Sequence, residues 1–212
     1  MRKIKSFNDF KSIDENKPCW TGYKQIGTKK KKGKEVPNCV PVKEEKKAFD
    51  YGCSMLYYDF PKINEIHSMI EDEDLYTEEG DRSYGLEKEP HTTLLFGLHS
   101  HEIPDEEVMK ASKCHEIPSE LKLHNPSLFK NDKYDVLKFD VAGNNLHKLN
   151  SELSKLPHTT DYPDYHPHST IGYLKKGTGD KYVSLLQGSE YTVNPSKIVY
   201  SKPDGSKVEE KI

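Results

Sequence analysis

One short pattern occurs twice in this chain: Glu89-Pro90-His91-Thr92-Thr93-Leu94-Leu95-Phe96-Gly97 and His166-Pro167-His168-Ser169-Thr170-Ile171-Gly172-Tyr173-Leu174. Both read Pro-His-x-Thr followed by an apolar run, and such a run behind a proline predicts a strand. Side chains at i and i+2 of a strand share a face. His91 should therefore stand beside Thr93, and His168 beside Thr170. Thr92, Leu94 and Phe96 should point the other way, as should Ser169, Ile171 and Tyr173. These backs are more apolar than the fronts. Helices are expected to cover the backs, leaving two His-Thr fronts to face each other across a cleft.

The neighbouring elements repeat too. CSMLYYDF (53–60) predicts a strand, and Pro61 then opens a helix with Ile63, Ile66 and Ile70 at helical spacing. The acidic stretch 71–90 predicts a loop, and 91–98 a strand. A helix is predicted over 104–113, with proline at its start and acids in its first turn. Residues 120–130 and 134–141 predict a hairpin. The stripe of Leu146, Leu149, Leu153 and Leu156 predicts a helix over 144–156. A strand at 168–174, a short helix at 182–187 and the strands EYTV and KIVYS complete the order. The expected class is α+β, with two similar strand-helix lobes in one domain at 51–212.

Residues 1–50 differ. Lys29 to Lys32 form an unbroken run, apolar residues are sparse, and neither a period of 2 nor one of 3.6 is sustained. With 32% charged residues, 33% hydrophobic ones and a mean hydropathy of -0.89, the chain has polar sequence to spare. A flexible lysine-rich extension is expected there. The net charge of -3 excludes a polybasic nucleic-acid binder. Cys19, Cys39, Cys53 and Cys114 form no Cys-x-x-Cys pair, so reduced thiols in a cytoplasmic protein are expected. The N-terminus lacks the apolar core of a secretory signal. No apolar run approaches the roughly 20 residues of a membrane span, so no membrane association is expected.

Two histidines and two threonines suit phosphate ester cleavage. One imidazole removes a proton from the attacking oxygen and the other protonates the leaving oxygen, both with a pKa near neutrality. Threonine hydroxyls donate to the phosphate as charge builds. His166 would share a face with His168, but the match of PHST to PHTT favours His168 as the reacting histidine and puts His166 at the cleft rim. Leu56, Tyr58 and Phe60 make the more apolar face of their strand. Tyrosines in a strand commonly pack, but if one enters the cleft to stack a base it is Tyr57. His99, His101, Cys114 and His115 close no regular ligand set, so neither metal nor cofactor is expected.

PHTTLLFG and PHSTIGYL, on strands of a duplicated α+β arrangement, resemble the two-histidine (2H) phosphoesterase superfamily. That group includes bacterial 2′,5′ RNA ligase-like proteins, RNA 2′,3′-cyclic phosphodiesterases and phage anti-CBASS cyclic-oligonucleotide hydrolases. The resemblance covers about 52–212. It implies a bilobal fold with a central cleft, His91 and His168 as general acid and base in an order left open, and Thr93 and Thr170 binding phosphate. Thr92 departs from the apolar residue common at that position, which bears on packing. The stretch CWTGYKQIGTKKKKGKEVPNCVP resembles a segment of tailed-bacteriophage proteins, over about residues 18–41. MRKIKSFNDFKSIDE resembles phage capsid-targeting peptides, with Ile13-Asp14-Glu15 fitting their cleavage context and implying packaging in a virion. The resemblances together imply a metal-independent phosphodiesterase that cleaves cyclic oligonucleotide messengers of host defence in the host cytoplasm. The alternatives are an RNA 2′,3′-cyclic phosphodiesterase acting on RNA ends and a non-catalytic nucleotide-binding virion protein.

Overall fold

The structure is a computed structural model that describes residues 23–31, 33–41, 51–78, 84–162 and 164–212. The capsid-peptide resemblance and Cys19 lie outside the described residues. The chain divides into two units between Lys47 and Ala48. In the first, β1 (Tyr23–Lys31) and β2 (Lys34–Pro41) form an antiparallel hairpin, where the sequence reading expects no regular element. Gly33 turns the chain at φ 78, a conformation glycine adopts without steric cost. Lys29, Lys30, Lys31 and Lys34 are exposed at its tip. An exposed lysine tip needs no apolar alternation, so the sequence there carries no period to find.

The second unit has two four-stranded antiparallel sheets. In the first, β3 (Gly52–Tyr58) lies between β4 (His91–Leu98) and β9 (Pro195–Ser201), and β10 (Lys207–Lys211) flanks β9. In the second, β6 (Tyr134–Ala142) lies between β7 (His168–Lys175) and β5 (Leu121–Lys130), and β8 (Tyr191–Val193) flanks β5. The helices are α1 (Ile63–His67), α2 (Asp105–Ala111), α3 (Leu146–Leu153) and α4 (Asp180–Leu186). Their apolar stripes join the sheet backs in one core: Ile63 and Ile66 of α1, Val108 of α2, Leu146, Leu149 and Leu153 of α3, and Leu186 of α4 meet Leu56, Leu94, Leu137, Phe139 and Ile171. β10, with the polar sequence KVEEK, escaped the sequence reading because an exposed edge strand buries almost nothing. The expected loop at 71–90 adds to the sheet as well. Tyr76 N donates to the Tyr173 carbonyl (2.9 Å), and Tyr173 N donates to the Gly85 carbonyl (2.8 Å), so this segment lines the edge of β7.

β4 and β7, the strands that carry the repeated pattern, lie against each other. Each contains a one-residue bulge at the same place. Met55 pairs with Thr93 but Ser54 pairs with Leu95, which makes Leu94 the extra residue. Lys138 pairs with Thr170 but Leu137 pairs with Gly172, which makes Ile171 the extra residue. A bulge reverses the alternation beyond it. Phe96 therefore pairs with Cys53, and Tyr173 with Val136, on the same face as the histidines and threonines. This corrects the simple period-2 expectation that both aromatics point to the back. Thr92, Leu94, Ser169 and Ile171 are buried at the back as expected.

A bulge leaves a backbone carbonyl outside its ladder, and a buried carbonyl needs a donor. Each takes a side-chain donor from the other half, and the Ile171 carbonyl accepts from Glu87 N as well (2.9 Å). Asn150 of α3 donates its side-chain amide to the Leu94 carbonyl (2.7 Å), and the His67 ring at the end of α1 bonds the Ile171 carbonyl through Nε2 (3.1 Å). Just past the first bulge, Gly97 sits at φ 100, and a Cβ there would lie 1.8 Å from the Thr159 carbonyl oxygen. Only glycine allows this approach, and the Thr159 amide bonds the Gly97 carbonyl in it (2.9 Å). Asn150→Ala should leave the Leu94 carbonyl without its donor and lower stability by about 1–3 kcal/mol, read as a reduced urea midpoint at unchanged slope.

Candidate active site

The two histidines occupy matched settings. His91 Nδ1 bonds the carbonyl of Glu89 (2.8 Å), and His168 Nδ1 bonds the carbonyl of His166 (2.8 Å). A carbonyl only accepts, so each Nδ1 carries the proton and each neutral ring presents Nε2 with its lone pair. The proline of Pro-His-x-Thr explains the match. It restricts the residue before it to extended backbone, and that residue supplies the accepting carbonyl in both strands. The contribution of His166 is therefore its backbone. Its side chain is exposed and precedes β7.

Thr93 and Thr170 are half-buried, each on the face of its histidine. Cys53 Sγ lies 4.0 Å from Thr93 Oγ1, and burial pushes the Cys53 thiol up to about 12, so it stays a neutral, weak donor. The segment before β7 reaches across to β4 at this point, where the Tyr165 hydroxyl donates to the Thr93 carbonyl (2.9 Å). Thr92 has its buried hydroxyl bonded to the Tyr58 hydroxyl (3.0 Å).

An aromatic ring leans on each histidine. Tyr57, directly opposite His91 in the register, stacks on it at 5.2 Å between centroids and 25° between planes. Phe129 meets His168 edge-on at 4.8 Å. Tyr57 is on the cleft side, yet it is only 8% exposed, and Lys197 and Lys207 stand over its ring at 5.1 and 5.5 Å. Its ring lies against His91 and two lysines and braces the imidazole.

Sequence reasoning missed Lys138. It faces Thr170 across the β6–β7 ladder, and Asp140 of the same strand faces His168. Lys138 is 7% exposed, pairs with Asp140 and lies over the Phe129 ring at 4.8 Å. The signal was present as Lys138 and Asp140 alternating with apolar residues, but alternation alone cannot tell a cleft face from a solvent face. Burial lowers the His168 pKa below the ordinary histidine value. Lys138 and His91 act in the same direction by repelling the imidazolium, against the His166 carbonyl and Asp140. Among the described residues, no group of three or more His, Cys, Asp or Glu side chains is arranged to hold a metal ion. No helix of the described residues is long and apolar enough to cross a membrane.

Two sheets with helices behind them and a twin His-x-Thr front make the fold of a two-histidine phosphoesterase. Usb1 from Kluyveromyces marxianus, solved with uridine monophosphate, matches with a TM-score of 0.50 and 11% identity, covering 78% of this chain and 99% of that one. E. coli LigT complexed with 3′-AMP matches with a TM-score of 0.43 and 15% identity, covering 76% and 95%. A further phosphoesterase matches with a TM-score of 0.42 and 13% identity, again covering 76% and 95%. No family model matches the sequence, and no curated protein matches it.

The electrostatics around His168 make a direct prediction. Its imidazole should titrate below the ordinary histidine value of about 6.5, and Lys138→Met should move the midpoint upward. That substitution removes a repelling cation and leaves the Asp140 carboxylate to favour the imidazolium. The His168 ring resonances in an NMR titration read both midpoints; an unchanged or lowered midpoint in the variant would contradict the geometry.

Proposed function

We propose that this protein is a metal-independent phosphodiesterase acting on nucleotides, with His168 as general base and His91 as general acid. The observation that carries this reading is the pair of imidazoles with Nδ1 tied to backbone and Nε2 left to react. His168 takes the base role because burial and Lys138 keep its ring neutral near pH 7. Its Nε2 removes the proton from the attacking hydroxyl or water as that oxygen bonds to phosphorus. The bond from phosphorus to the leaving oxygen breaks, and His91 gives that oxygen its proton. Thr93 and Thr170 donate to the nonbridging oxygens as negative charge builds on them. The two imidazoles supply both proton transfers, which leaves no step that requires a metal.

A cyclic oligonucleotide is the substrate we put first. The support is the resemblance of residues 18–41 to a tailed-phage segment, since a phage gains by destroying the cyclic nucleotide messengers of host defence. On this reading the protein acts in the host cytoplasm, and the N-terminal segment serves packaging in the virion. The second reading is an RNA-end enzyme opening 2′,3′-cyclic phosphates. The uridine monophosphate named with Usb1 favours it, as a single nucleotide in the same fold.

Incubation with 3′,3′-cyclic dinucleotides and with RNA bearing 2′,3′-cyclic ends, in EDTA, separates the readings. Turnover of the first alone supports the messenger hydrolase and turnover of the second alone the RNA-end enzyme. Turnover of neither, with tight binding retained in His91→Ala, leaves a nucleotide-binding module. In the enzyme, His91→Ala and His168→Ala should each lower the rate by roughly 10²–10⁴-fold.

A further inference from the structure

The net charge of -3 is the balance of two opposite parts. The N-terminal unit, Met1–Lys47, carries fourteen Lys and Arg against six Asp and Glu, and the rest of the chain carries eighteen against twenty-nine. A chain that sorts its charge this way offers a polyanion one basic end, whatever its overall balance. We propose that the lysine-tipped hairpin of β1 and β2 is a binding site for the phosphate backbone of double-stranded nucleic acid, independent of the chemistry of the histidines.

The register sorts the tip into two unlike faces. Lys29 pairs with Val36, Lys30 with Glu35 and Lys31 with Lys34. Directly paired residues share a face, and so do alternate residues of one strand. Lys29, Lys31 and Lys34 therefore stand on one side, while Lys30 stands opposite Glu35 on the other. All three lysines of the first side are exposed, and Glu35 is the only acid among the described residues of the hairpin. Like charges directly opposite each other destabilise the ladder that holds them there, which is the position of Lys31 and Lys34. An anion lying along that face relieves the repulsion. A row of phosphates relieves it at all three lysines at once, because residues two apart in a strand stand about 7 Å from each other.

The composition of the tip selects a duplex. Among the described side chains of residues 28–31 and 33–38 none is aromatic, so none offers the stacking surface that single-strand sites use. Val36 is half-buried, and no large apolar side chain of these residues is exposed to enter a lipid surface. What remains is contact with the backbone, and a two-stranded ribbon is narrow enough for the major groove of a duplex, about 12 Å wide. The acids of the second unit are a poorer counterpart. Glu71, Asp74, Glu89, Asp105 and Asp180 each pair with a lysine of that same unit.

The test is fluorescence anisotropy of the full chain with a labelled duplex of about 20 base pairs, at salt concentrations from about 50 to 200 mM. Binding should weaken steeply with salt and be the same for unrelated sequences. Replacing Lys29, Lys31 and Lys34 together by Gln should make the slope of log K against log salt shallower by about 2.7, which is about 0.9 for each phosphate no longer neutralised. The corresponding triple Arg variant should keep the parent slope, which separates lost charge from a lost hairpin. Lys30→Gln should leave the slope unchanged. No binding at the lowest salt, the outcome expected if the acidic unit of the chain itself occupies the hairpin, would overturn the site. So would a slope that survives in the triple Gln variant, or tighter binding to phosphatidylserine vesicles than to the duplex. Binding is read without turnover, so the result stands apart from which nucleotide the histidines act on.

Discussion

The cleft depends on two backbone carbonyls that have left their strand ladders. At Leu94 and Ile171 the extra residue bends β4 and β7 directly behind the threonines. Each freed carbonyl is taken by a side chain from a helix of the opposite half, Asn150 of α3 and His67 of α1. An unpaired buried carbonyl is costly; Asn150 guards the Leu94 carbonyl against that, while the Ile171 carbonyl accepts from both His67 and Glu87 N (2.9 Å). The exchange ties the two lobes together behind the cleft, while Tyr165 ties them at its rim through the Thr93 carbonyl. The geometry of the two His-x-Thr strands and inter-lobe cohesion therefore share these hydrogen bonds.

Much of this was legible. The repeated Pro-His-x-Thr named the residues that reach the cleft face, and the apolar stripe of α3 named its core side. The proline had a physical meaning that becomes apparent only with the rings in place, because it holds the preceding carbonyl where Nδ1 finds it. The bulges were not legible. A bulge is one residue of slippage between partners, and neither the Leu94-Leu95 pair nor the Ile171-Gly172 pair announces it; both read as continuous apolar strand. That slippage is why Phe96 and Tyr173 were assigned to the wrong face. Lys138 was hidden for a related reason, since a polar residue alternating in a strand predicts solvent as readily as a cleft. β10 buries too little to leave any pattern.

The two halves are equivalent in backbone but not in electrostatics, and a two-histidine mechanism needs that difference. Identical imidazoles with identical surroundings would share one protonation preference, whereas the reaction requires one ring neutral and the other charged at the start. His168 has Lys138 and Asp140 of β6 beside it and the Phe129 edge against it, in a buried setting that favours the neutral ring. His91 has Tyr57 stacked on it, and its accepting carbonyl belongs to Glu89, whose carboxylate pairs with Lys207 at 3.0 Å. Duplication supplied two histidines in matched backbone settings. On the proposed mechanism, the residues that differ between the halves, Lys138 and Asp140 on one side and Tyr57 and Glu89 on the other, would divide the work between them.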